Sequence, residues 1–245
     1  MAVTHSKTGV RLAESFRDNL IIDRYDALFA NMRASKSDAM RSENSEDALT
    51  WNAFRTLAQI DPCVWYPKLF ERAFRRSCDP PQNALVRLWV RMPPPASLAA
   101  YHSEGESEVD VAIETPTSLW FIEAKYRSDI SGRTTHAEHR DQILRNIDVG
   151  SSAAGERQFH FSLLALDSQH SARAFELLAK YRSDRELLRQ RLPHRSDGLR
   201  NVDGIGLVLW SDVVDVLEAC ARSARADEQV FAERAVVWLR GKALE

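Results

Sequence analysis

The chain has 245 residues, 44% of them hydrophobic and 28% charged, with a net charge of −2, which is ordinary for a globular protein of about one large domain. Nine Gly and nine Pro exclude a low-complexity chain, and no apolar run approaches the ~18 residues of a membrane helix. The near-neutral charge argues against a non-specific nucleic-acid coat protein, but not against a nuclease whose acidic site offsets a local basic surface.

The first residues, Met1 to Lys7, have no apolar core behind their charge, so no secretory signal is expected. Residues 10–33 space Leu12, Phe16, Leu20, Tyr25, Leu28 and Met32 at three to five, which predicts an amphipathic helix. A polar connection, Ala34 to Glu46, follows. Ser45 then caps a second helix, with Glu46 and Asp47 in its first turn and Trp51, Phe54 and Leu57 on its apolar face. Asp61-Pro62 stops that helix, and Pro67 opens another through Phe74. Cys63, Cys78 and Cys220 are odd in number and lack close metal-ligand spacing. They read as small buried hydrophobes in a reducing cytoplasm.

After Pro80-Pro81 the period becomes two. Val86, Leu88, Val90 and Met92 mark a strand, and Pro93-Pro94-Pro95 ends it. Glu108 to Glu114 alternates again, with Val109, Val111 and Ile113 on one face and Asp110, Ala112 and Glu114 on the other. The turn Thr115 to Ser118 leads into a strand from Leu119 to Tyr126, and the short connection makes the pair an antiparallel hairpin. Further elements are a helix over 137–148, a strand from Phe159 to Leu166 and a long helix from Ser171 to Arg191. Then come a strand from Gly204 to Trp210, a helix capped by Ser211-Asp212 through Ala224, and a last helix over Ala226 to Lys242. The whole predicts a single mixed α/β domain with a mixed sheet flanked by helices. Residues 1–80 form its mainly helical N-terminal part and residues 81–245 its core with C-terminal helices.

The chemistry concentrates in Glu108-Val-Asp-Val-Ala-Ile-Glu114 and Leu119-Trp-Phe-Ile-Glu-Ala-Lys-Tyr126. Residues two apart share a strand face, so Glu123 and Lys125 project together above Phe121, inside a strand apolar on both sides. Such charges are rarely buried unless paired or bound to metal. Asp110 lies on the adjacent strand. Two carboxylates converging from neighbouring strands suit Mg²⁺, and a metal beside a lysine can hydrolyse a phosphodiester. The hexapeptide Ala124 to Asp129 recurs at Ala179 to Asp184 with different flanks, so the string alone carries no chemistry. Other patterns are weaker. His136 and His139 lack the spacing of a His-Glu-X-X-His protease, no Gly-rich phosphate loop appears, and no Gly-X-Ser-X-Gly elbow exists.

Asp110 followed by Glu123-Ala124-Lys125 resembles the PD-(D/E)XK nuclease superfamily, with Val109 where the name has proline. The resemblance covers roughly residues 45 to 166. It implies a restriction endonuclease-like fold and an Mg²⁺-dependent nuclease, with Mn²⁺ as a substitute. Asp110, Glu123 and the carbonyl of Ala124 would be metal ligands, and Lys125 would position the attacking water and stabilise phosphate charge. The family also places an acid on a preceding helix, where Glu46 is the choice and Asp47 and Glu43 are alternatives. Polar residues on the helix after the motif approach the nucleic acid, which points to Arg140 and Gln142. DNA is the expected substrate, and RNA stays open because nothing in the sequence reads a 2′-hydroxyl. A homodimer would suit cleavage of both strands, though no self-complementary surface is legible. The alternatives are an inactive nuclease-fold domain serving as a DNA-binding or assembly module, and a scaffold without a nucleic-acid role.

Overall fold

A computed structural model of the chain describes residues 4–7, 9–101, 103–131 and 140–243. It begins with a small antiparallel ribbon, β1 (Thr4–His5) against β2 (Arg11–Leu12). Two 3₁₀ turns follow, Phe16–Asn19 and Ala27–Asn31, and then a short helix, α1 (Ala34–Ala39). The helix expected over 10–33 does not form. Within that segment the backbone closes only short turns, and between them it bonds to residues further along the chain: the Ile21 N–H donates to Asn52, the Ile22 carbonyl accepts from the Trp51 indole, and Asp23 turns left-handed at φ 48°. Its apolar residues Leu20 and Phe29 are buried all the same. Tertiary contacts outweighed helical spacing.

Helix α2 (Glu46–Leu57) starts where expected, with the Ser45 hydroxyl accepting from the Ala48 N–H at 3.2 Å. Helix α3 (Pro62–Phe74) starts five residues before the expected proline. Asp61 caps it and Pro62 occupies its first turn, where a missing N–H costs nothing, so Pro67 falls in the helix interior.

The strands are β3 (Leu85–Met92), β4 (Ser107–Glu114) and β5 (Ser118–Ala124), the last followed in chain order by helix α4 (Gln142–Ala154). Strand β6 (Gln158–Ala165) precedes helices α5 (Ala172–Ser183) and α6 (Arg185–Arg191), and β7 (Val202–Leu209) precedes α7 (Trp210–Ser223) and α8 (Ala226–Ala243). The expected helix over Ser171 to Arg191 is thus two, because Asp184 ends α5 and caps α6 through the Leu187 N–H. The helix expected from 137 begins at Gln142, capped by Asp141. Residues 137–139, with His136, lie outside the described residues.

The five strands form one mixed sheet in the order β3-β4-β5-β6-β7, antiparallel through β5 and parallel from β5 to β7. One face packs Phe54, Trp65, Trp120, Val213 and Leu239 between the sheet and α2, α3, α7 and α8. The other packs Phe121, Ile143, Phe161, Leu178 and Leu188 between the sheet and α4, α5 and α6. Helix α3 lies directly on β7: a Cβ at Gly206 would stand 2.4 Å from the Ala73 carbonyl, so only glycine fits there. Among the described residues, no helix is long and apolar enough to cross a membrane.

One irregularity bears on the site. Val111 and Ile113 join the α2 side as a pair, but Val109 joins the α4 side, against the expectation that all three share a face. Strand β3 switches in step. Leu88 packs on the α2 side and Val90 on the other, and Trp89 between them has φ 53°. Trp89 and Asp110 therefore stand opposite each other, between the pairs Leu88–Val111 and Val90–Val109, at a distortion of both strands.

Candidate active site

Three elements meet at the end of the β4–β5 hairpin. Strand β5 delivers Glu123 and Ala124, with Lys125 just beyond it. The first turn of α2 delivers Glu46, and the first two turns of α4 deliver Gln142 and Asn146. The Lys125 ammonium is the hub. It lies 2.7 Å from Glu123 Oε1, 2.9 Å from the Ala124 carbonyl and 3.4 Å from Glu46 Oε1. Asp110 is tied in through its Oδ2, which accepts the Ala124 N–H at 2.9 Å.

Glu123 is only 1% exposed, so its charge requires partners. It has three: Lys125 and the Gln142 amide on Oε1, and the Asn146 amide on Oε2 at 2.7 Å. Glu46 is fixed from its other oxygen, which accepts the Tyr126 N–H and the Ser128 hydroxyl, both at 2.7 Å. The Trp210 indole donates to the Lys125 carbonyl at 3.1 Å, anchoring the backbone behind the ammonium. This explains why the sequence tolerates charges in an apolar strand: each is held by a neighbour from a different element.

Three carboxylates surround one ammonium, and the electrostatics follow. Burial pushes the Asp110 carboxyl well above the usual range, and the negative charge of Glu123 pushes it further. Lys125 and the Ala124 N–H only partly oppose this. For Lys125, burial disfavours the charged form, but Glu123, Glu46 and Asp110 together outweigh it and hold the ammonium above the ordinary lysine range. Lys125 is therefore a cation at neutral pH.

Among the described residues, no group of three or more His, Cys, Asp or Glu forms a ready metal cage. Asp110, Glu123 and the Ala124 carbonyl present oxygen donors only. Burial first, and then the charge of Glu123, disfavour the charged form of Asp110, and a hard divalent cation would offset both. Mg²⁺ needs no full protein cage, since it commonly binds one or two carboxylates and keeps several waters. The donor chemistry fits.

Of the three acids considered on or before α2, only Glu46 reaches the cluster. Asp47 pairs with Lys36 at 3.0 Å, and Glu43 accepts the Arg11 N–H in the ribbon. Gln142 arrives at Glu123 as described. Arg140 does not join the cluster. It is buried, and its guanidinium is committed to Asp148 at 2.8 Å and Glu104 at 3.1 Å, within a network that also holds Arg145, His194 and Arg195. Asn146 was missed from sequence, though it lies one helical turn beyond Gln142 and so on the same face. The second copy of the hexapeptide places Lys180 on the exposed face of α5 against Glu176, a surface pair with no other acid in its ion pairs among the described residues.

Compared with protein families, curated proteins and solved structures, the chain finds no match in any of the three.

Proposed function

We propose that the five-stranded sheet and its helices form a restriction endonuclease-like core of the PD-(D/E)XK type, and that the chain hydrolyses phosphodiester bonds of DNA with Mg²⁺. The observation that carries this reading is the convergence of Glu123, the Ala124 carbonyl and Glu46 on Lys125 at one strand end, with Asp110 tied to the Ala124 N–H beside them. Asp110, Glu123 and the Ala124 carbonyl would hold the cation, which supplies Lewis-acid polarisation of the phosphate and a bound water of lowered pKa. Gln142 and Asn146 keep the Glu123 carboxylate in one orientation. Lys125, kept charged by its acidic neighbours, would stabilise the oxygens on which negative charge grows as the phosphorus becomes five-coordinate. Glu46 holds Lys125 in place from the opposite side and fixes the Tyr126 backbone.

The test is cleavage of plasmid and single-stranded DNA with Mg²⁺ or Mn²⁺, beside Glu123→Gln and Lys125→Met. Cleavage by the native chain and its loss in both variants are expected. Full cleavage in either variant would sink the assignment. A second reading, an inactive nuclease-fold module, draws on one observation: three donors already engage Glu123. Calorimetry separates the two, because a module that has lost its chemistry through this saturation would bind neither Mg²⁺ nor Mn²⁺.

A further inference from the structure

Beside the acidic cluster, along the β3 edge of the sheet, lies a separate cleft of about 460 Å³. It is contiguous with the cluster in the chain. Asp47 in its wall follows Glu46, Glu108 precedes Asp110 by two residues, and Trp89 stands opposite Asp110 across β3 and β4. Its electrostatics have the opposite sense. Arg33, Lys36 and Arg91 line it against only two carboxylates, Asp47 and Glu108. Arg33 and Arg91 are exposed.

The cleft is built around Trp89. Its left-handed backbone is costly for a bulky residue and persists only where the surroundings enforce it, a pattern typical of ligand sites. Trp51 stacks on the indole at 5.4 Å between centroids, and the Lys36 ammonium stands 4.2 Å from its centre. Trp89 is 8% exposed, and its buried indole N–H has no acceptor among the described residues. The Lys36 ammonium is held there by Asp47 at 3.0 Å and Glu108 at 2.7 Å, with the ring as its third neighbour. The cleft thus carries an unpartnered indole N–H in its wall beside the Trp51–Trp89 pair, with the exposed guanidinium groups of Arg33 and Arg91 at its rim, the second 3.9 Å from Glu108. A nucleotide matches each part: a base carries acceptors and a flat face, and its phosphates carry the charge that arginine binds in bidentate fashion. A base paired inside a duplex offers neither its face nor its pairing edge.

We propose that this cleft binds one unstacked nucleotide of a single DNA strand, its base against Trp89 and Lys36 and its phosphates at Arg33 and Arg91. The role as a substrate subsite rests on the nuclease reading; the binding does not.

The test uses the full chain in EDTA, so that no cleavage intervenes. Fluorescence anisotropy compares labelled dT12 with a duplex hairpin of the same length. The single strand should bind at least 10-fold tighter, should quench tryptophan emission, and should weaken at least 10-fold in the Arg33→Ala/Arg91→Ala double variant, whose changes are at the surface. Lys36→Met should also weaken it. Equal binding of strand and duplex, or an affinity within twofold of native in the double variant, overturns the proposal. The two readings fail separately. Tight binding of dT12 with no Mg²⁺-dependent cleavage of any DNA removes the nuclease and leaves the cleft. Cleavage of dT12 with unchanged KM in the double variant removes the cleft and leaves the nuclease.

Discussion

His160 on β6 offers a sharp test of the packing away from the site. It is 2% exposed and packs against the rings of Phe70 and Phe74, each at about 5 Å. Burial lowers its pKa from 6.5 to about 4, Asp203 at 3.6 Å opposes this, and Arg76 reinforces it. The folded protein therefore keeps the ring neutral where the unfolded chain protonates it. Above pH 6.5 neither state carries the proton and His160 is silent. Between pH 6.5 and 4 only the unfolded state takes it up, so stability falls with pH. Below about 4 both are protonated and the loss levels off. The gap between the two proton affinities corresponds to a total loss of about 3 kcal/mol. Urea unfolding of the native chain and His160→Gln at pH 7, 6, 5 and 4.5 isolates the effect, because the other titrating groups cancel in the difference. The native chain should lose about 2–3 kcal/mol relative to the variant across that range. A difference between the two that stays constant from pH 7 to 4.5 would refute the reasoning.

Other outcomes follow from single contacts. Asn146→Ala leaves the buried Glu123 Oε2 without its 2.7 Å donor, so urea unfolding should show a loss of about 1–2 kcal/mol, and DNA cleavage should fall while the fold persists by circular dichroism. Asp148→Ala strips Arg140 and Arg195 of their shared buried carboxylate, and chemical denaturation should show a loss of about 3–5 kcal/mol with no direct contact to the cluster. Gly206→Ala drives a methyl into the Ala73 carbonyl and should cost about 1–3 kcal/mol, read as a lowered Tm in calorimetry.

The central strands were legible because period-two alternation and proline punctuation act locally, and β3 through β7 stand within about two residues of where the sequence puts them. The convergence of Glu123, Lys125 and Asp110 was legible for the same reason: two residues apart on a strand, or one hairpin away, fixes proximity. Glu46 was legible only in part. Its place in a first turn follows from the Ser45 cap, but its choice over Asp47 depends on where α2 docks. The N-terminal segment misled because side chains of α2, distant in sequence, took its backbone hydrogen bonds. Arg140 misled because a cation on a polar helix approach reads as a phosphate contact. The carboxylates that claim it, Glu104 and Asp148, come from a loop before β4 and from within α4. The switch of face at Trp89 and Asp110 has no signature in the alternation, since Val109 and Val111 look equivalent.

The cluster draws Glu46 from the helical layer on one side of the sheet and Gln142 with Asn146 from the layer on the other, with the end of β5 between them. It acts as a rivet driven through three plates. A chain with only one layer docked has half the fastener and no assembled cluster. The same geometry makes the site a gauge of the molecule's thickness: the reach from Glu46 through Lys125 and Glu123 to Gln142 closes only when both layers stand at their full depth on the sheet.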